Sequence, residues 1–367
     1  MVERIMNNNI GLNYINNAID ELISLLGIKE DVPMDTILEP LSTKNIKGCV
    51  EKIANYLGLP VVVNISYVPG EYQRNSRNRF DSSGLSTTDR SGRGVGGIIA
   101  QVSIPSYLPL YGTPGLKGFP INVKISDNCL ENIEAFITIM AHELSHIVLH
   151  SLLYKEKDNE IYTDLTAMIL GFSLVILGGR KNVEHKNVQT KNHVFYSETK
   201  AEKLTTTYGY LSDEQAIFAF NKIDKILKKC TESKEKLVKR LPAYEILLIS
   251  YKKELTKFNN FIEYLDKNQD KRIRSEDVAK IVEFHQLDYI ERFREVIRHN
   301  EEKLKEISDF CLALVHYTRP QLNSLQILDK GIDSLLSNLQ IEFDVLNSDV
   351  STLKGYVGFF HKLNITN

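Results

Sequence analysis

The sequence predicts an α+β protein: a domain over residues 1–212 built on a small mixed sheet and two site-carrying helices, then an all-α domain over residues 213–367. Three observations predict this. Apolar residues recur at three- and four-residue steps between Leu130 and Tyr154, with no Pro or Gly to break a helix. Short strand-like runs precede that helix. Beyond about Ala216 the chain becomes rich in Lys, Glu, Leu and Ile and poor in glycine, as successive long helices require.

Residues 13–26 and 43–57 carry helical periodicity, with Pro33 and Pro40 marking the connection. Residues 61–68 (VVVNISYV) read as a strand after Leu59-Pro60. Residues 69–97 are rich in Arg, Ser, Asn, Asp and Gly and read as a long polar loop. Gly92, Gly94, Gly96 and Gly97 lead into a strand rather than from a strand into a helix, which excludes a dinucleotide-binding turn. Arg74, Arg77, Arg79, Arg90 and Arg93 read as the charge of a solvated loop. Residues 98–105 read as the next strand, with Pro105 suiting an edge position, and residues 119–126 alternate in period two as a third.

The helix from Leu130 to Tyr154, capped by Asp127 or Asn128, buries a face of Ile133, Phe136, Ile137, Met140, Leu144, Ile147 and Val148. A second helix carries Glu160 and Asp164 and runs into the apolar segment 165–179. That segment falls short of the roughly 18 apolar residues of a membrane span and lies between Asp164 and Arg180, so a buried helix is expected. Residues 178–207 read as a polar link, and Ser212 to Gln215 as a capping box opening the helical half. Residues 287–317 are expected as its longest helix, with Ile290, Phe293, Ile307 and Leu314 on one stripe. Asp266, Asn268 and Asp270 resemble a calcium loop, but Lys271 replaces the central Gly and Asp277 the final Glu, so a helix-to-helix turn is expected.

Across its 367 residues the formal net charge is −2, which points to neither nucleic acid nor an anionic membrane as partner. Cys49, Cys129, Cys230 and Cys311 lie far apart, so neither a disulfide framework nor a cysteine metal site is expected. No apolar signal-like stretch opens the sequence, and a cytoplasmic location is the expectation.

The chemistry concentrates in His142-Glu143-Leu144-Ser145-His146. Histidines one turn apart on a helix can share one zinc ion, with Glu143 beside them to take a proton from water. Glu160 or Asp164, one turn apart on the next helix, can supply the third ligand. His150 cannot: on an unbroken helix it stands about 12 Å along the axis from His142, too far for zinc bonds of about 2 Å. The longer Glu160 is better suited to ligation, and Asp164 to accepting a hydrogen bond from a ligand histidine. His193, Tyr208 and Tyr210 are candidates to stabilise an oxyanion.

His142-Glu143-x-x-His146 followed by Glu160-x-x-x-Asp164 resembles the gluzincin metallopeptidases, the thermolysin-like zincins, and is similar in its short inter-helix gap to compact intracellular bacterial peptidases. The likeness covers roughly residues 97–171. It implies a zincin-like domain with zinc on His142, His146 and Glu160, Glu143 as general base, and Asp164 orienting a histidine. The expected function is hydrolysis of a protein or peptide substrate, internal rather than terminal cleavage, with the C-terminal helices selecting a protein partner. The alternatives are a zinc-containing interaction protein and a protease regulated by a partner.

Overall fold

The structure, a computed structural model, describes residues 11–69, 100–127, 129–192, 196–267, 289–314 and 316–365, with the hairpin 181–207 described by its backbone. It is mostly helical, with a small mixed sheet and a C-terminal helical region. Two compact units divide it: residues 1–228 with 316–319, and residues 229–315 with 320–367.

The first unit opens with α1 (Leu12–Leu26), which buries Ile15, Ile19, Leu22 and Leu26 along one face. Gly27 ends it at φ +78°, where a Cβ would sit 2.7 Å from the Tyr317 carbonyl oxygen. That close approach lets β1 (Ile28–Lys29) pair antiparallel with β7 (His316–Tyr317), a return of the chain that no local pattern announces. After α2 (Met34–Leu38), Asn45 caps α3 (Ile46–Tyr56) by accepting from the Gly48 amide at 2.8 Å. The sheet has the order β2 (Val62–Val68), β4 (Pro120–Ser126), β3 (Ala100–Val102). β2 runs parallel to β4 and β3 antiparallel to it, so the sheet is mixed as expected. Ile121, Val123 and Ile125 turn inward in the predicted alternation.

Helix α4 (Ile133–Ser151) packs against α3 and β3, and against α5 (Glu160–Ala167) and α6 (Ser173–Gly179). Its cap is Asn132, which accepts from the Ala135 amide at 3.0 Å, rather than Asp127 or Asn128; a 3-10 turn over Cys129–Glu131 moves the helix start on. One buried face was the expectation, but every residue from Ala135 to Leu149 is buried because α4 is covered on both sides. From α5 the apolar run continues through a π turn (Met168–Phe172) into α6. The stretch Glu160–Gly179 is long and apolar enough to cross a membrane, yet 83% of its apolar window is buried within the protein. Gly171, at φ +101°, allows the bend: a Cβ there would meet the Glu30 carbonyl oxygen at 2.7 Å.

Residues expected as a polar link instead form an antiparallel hairpin, β5 (Lys181–Asn192) with β6 (Tyr196–Thr207), in register from Lys181↔Thr207 to Asn192↔Tyr196. Backbone pairing needs no apolar alternation, and this segment has little to reveal it.

Ser212 and Gln215 form the predicted capping box at the start of α7 (Asp213–Lys267), with Gln215 N–H donating to Ser212 Oγ and Ser212 N–H to Gln215 Oε1. The expected boundary falls there, but the compact units divide later, within α7. Its first turns belong to the first unit, where Ala216, Ala219 and Ile223 are buried and Lys222 reaches Asn16 and Asp20. The second unit is built from the rest of α7, α8 (Tyr289–Ala313) and α9 (Arg319–Ile365). The expected longest helix over 287–317 is in fact the shortest of these: it spans 25 residues, against 55 for α7 and 47 for α9, because Tyr317 belongs to β7 and α7 continues through Pro242. Phe293 anchors the core of this unit, edge-on to Tyr251 and Phe258. The arginine-rich loop and most of the calcium-like turn lie outside the described residues.

Candidate metal centre

His142 and His146 project from the middle of α4, one turn apart, with ring centroids separated by 5.0 Å. Glu160 begins α5, whose start is fixed by Asn159 accepting from the Ile161 amide. One Glu160 oxygen lies 3.1 Å from His142 Nε2 and 3.2 Å from His146 Nε2. These three residues offer two imidazole nitrogens and a carboxylate oxygen, all within 4.8 Å of one another, and the cluster could hold a metal ion.

Two features fit a cation at this point. His146 Nε2 is buried without a hydrogen-bond partner although the Glu160 oxygen is near; the approach lacks hydrogen-bond geometry, as for two donors converging on a third atom. The electrostatics agree. Burial alone would favour neutral His142, but the carboxylates of Asp164 and Glu160 outweigh it and raise its pKa well above the ordinary range. Burial would also raise Glu160, yet the hydrogen bond with His142 and the closeness of both imidazoles bring it down to about 2. The buried carboxylates favour positive charge at the imidazoles, which a proton or a bound cation can supply. Two imidazoles and one carboxylate make a donor set suited to zinc.

Asp164, one turn beyond Glu160, accepts from His142 Nδ1 at 2.7 Å through Oδ1, which frees Nε2 to face the cluster. Its Oδ2 accepts the main-chain N–H groups of Tyr210 at 2.6 Å and Leu211 at 3.2 Å. Thr163 Oγ1 lies 3.3 Å from His146 Nδ1 and is the corresponding contact for the second imidazole.

Glu143 is fully buried beside the two histidines, and its Oε2 accepts from the Val102 N–H of β3 at 3.2 Å. The sheet therefore touches the site through the very residue read as a base. Tyr210 stacks its ring on His142, with centroids 5.6 Å apart and planes at 22°. Tyr208 is buried, and its N–H donates to the Arg180 carbonyl at 2.7 Å. His193 lies outside the described residues. His150 pairs with Asp158 at 3.0 Å and stands apart from the cluster, in line with its rejection as a ligand.

Sequence reasoning missed Thr163, Val102, and the Gly209–Leu211 turn. Thr163 could have been noticed, since it lies between Glu160 and Asp164 on the same helix; the others arrive through long-range packing. Comparison of the chain with protein-family models, with curated proteins and with solved structures finds no match.

Proposed function

We propose that this protein is a zinc-dependent metallopeptidase that hydrolyses peptide bonds in a protein substrate. The carrying observation is the convergence of His142, His146 and Glu160 on one point, with Glu143 buried alongside but outside the ligand set. Among the described residues three donors converge rather than four, the pattern of a zinc site with chemistry to do, and an adjacent carboxylate has no use in a purely structural site.

Bound zinc would supply Lewis acidity toward a scissile carbonyl and toward water. The chain's own residues do the rest. Glu143 takes a proton from the attacking water and returns it to the leaving amine as the carbon–nitrogen bond breaks. The Val102 amide holds the Glu143 carboxylate in place for both transfers. Asp164 keeps the His142 proton on Nδ1. Tyr210 and Tyr208 are the candidate oxyanion donors, Tyr210 being supported by its stacking on His142. Cys49, Cys129 and Cys311 are free and buried, which agrees with a reducing cytoplasm.

The test pairs metal analysis with a proteolysis assay on wild type and Glu143→Gln. The variant keeps near-stoichiometric zinc while hydrolysis falls by about 10²–10⁴-fold, the usual contribution of a general base. Unchanged turnover removes Glu143 from the reaction, and wild-type protein that takes up no zinc defeats the reading as a whole.

A further inference from the structure

We propose that Arg180 is a positioning residue of the metal centre: by gripping the turn from Tyr208 to Ser212 at both ends, it fixes Asp164 and, through Asp164, the metal affinity of His142. The inference rests on reading the His142–His146–Glu160 cluster as a metal centre, and it does not require that the protein be a peptidase.

Arg180 follows α6 and is only 4% exposed, an unusual place for a cation. Its carbonyl accepts from the Tyr208 N–H at 2.7 Å. Its guanidinium donates to the carbonyls of Leu211 and of Ser212, the latter at 3.0 Å, and lies 3.6 Å from the Asp213 carboxylate. One residue thus holds the beginning and the end of a single turn.

What the turn does is present its main chain to Asp164. Tyr210 and Leu211 N–H groups both donate to Oδ2, leaving Oδ1 for His142 Nδ1. Gly209, between the anchors, is at φ +86°, and a Cβ there would stand 3.1 Å from Asp164 Oδ2. The turn approaches so closely that its outline is set by the carboxylate. A few tenths of an ångström of drift would lengthen both amide bonds and let the carboxylate rotate away from the imidazole.

A planar fork suits the anchoring task, since it can reach two successive carbonyls at once with a fixed spread. A lysine ammonium keeps the charge and loses that spread. An arginine serving only to neutralise a helix C-terminus would act equally well from solvent, without the desolvation cost of burial.

The experiment measures zinc affinity of the full chain by chelator competition for wild type, Arg180→Met, Arg180→Lys, Asp164→Ala, and Asp164→Ala combined with Arg180→Met. Circular dichroism reports that each is folded. Arg180→Met weakens zinc binding by about 10-fold or more, within the range typical of groups that orient a ligand. Arg180→Lys recovers part of that loss. In the Asp164→Ala background, Arg180→Met adds no further loss, because its effect travels through the missing carboxylate. General loosening of the fold would instead add in both backgrounds.

In the zinc-loaded protein the Nδ1–H proton resonance of His142 supplies a second readout: it lies downfield in wild type, where Asp164 accepts it, and moves upfield in Arg180→Met. Wild-type affinity in folded Arg180→Met, or full additivity with Asp164→Ala, overturns the proposal. If Arg180→Met does not fold, Arg180→Lys decides, and an affinity equal to wild type overturns it. Wild type that fails to bind zinc overturns the metal-centre reading itself; wild type that binds, with indifferent Arg180 variants, overturns only this inference.

Discussion

The two units bury different chemistry. Among the described residues, the first unit encloses His142, Glu143, His146, Asp164, Arg180 and a set of hydroxyl side chains, whereas the second has Asn300, 9% exposed, as its one buried polar residue outside the tyrosines. The second unit is instead filled with Tyr244, Tyr251, Phe258, Phe293 and aliphatic side chains. Buried charge stabilises a fold poorly, because removing ions from water offsets most of what their pairing returns. The helical unit therefore shows what packing alone requires, and the first unit shows what is added when a core also encloses a cluster that could hold a metal ion. The contrast is visible within single helices: α4 is covered on all sides yet carries two imidazoles and a carboxylate at its centre.

The sharpest way to break the contrast is to remove a ligand. Glu160→Ala is expected to abolish tight zinc binding, since only two imidazoles then remain and the charge they faced is gone. Asp164→Ala is expected to lower affinity by about 10–100-fold, as loss of an orienting partner does. Zinc titration of both variants establishes the order. If Asp164→Ala empties the site while Glu160→Ala binds tightly, the two carboxylates have exchanged roles.

The opposite intervention belongs in the second unit. Phe293→Ala removes a fully buried ring that meets both Tyr251 and Phe258, and should destabilise that unit by about 3–5 kcal/mol. Chemical denaturation followed by tyrosine fluorescence measures the loss. Zinc affinity should stay at the wild-type value under native conditions, and a matching fall in affinity would show that one core serves both units.

How far the sequence announced this architecture depends on the range of the contacts. His142, Glu143 and His146 were legible because a four-residue step places them together on any helix, and Glu160 with Asp164 for the same reason. The strands at 62–68 and 120–126 were legible from β-branched runs. The hairpin 181–207 was not, since its pairing is made by backbone groups common to every residue. β1 with β7, the Arg180 anchor and the two amides on Asp164 depend on residues far apart in the chain, and periodicity carries no information about them. Asn132 displaced the expected cap because an unannounced 3-10 turn intervenes. Helix α4 was legible as a helix, but its burial on all sides follows from what packs on it.

The finest test of the contrast uses one atom type in both units: a buried polar atom with no hydrogen-bond partner. His146 Nε2 is one such atom of the first unit, and the hydroxyl of Tyr251 is one of the second. The reading of the first unit gives the imidazole nitrogen a task, the holding of a cation, so its isolation is a requirement of the site. The Tyr251 hydroxyl has no such task. It lies in a side chain that is fully buried between Phe293 and Phe343, and burial raises its pKa well above the ordinary range because the anion would be uncompensated there. An unsatisfied hydroxyl of this kind costs about 1–3 kcal/mol in desolvation. Tyr251→Phe keeps the ring and its edge-on contacts while deleting the oxygen, so the variant should be stabilised by about 1 kcal/mol, or roughly 2–4 °C in the unfolding temperature of a unit this size. Differential scanning calorimetry resolves a shift of that magnitude. A loss of stability instead would mean that the hydroxyl has a function in the native helical core, and that the second unit, like the first, buries polar groups for a purpose.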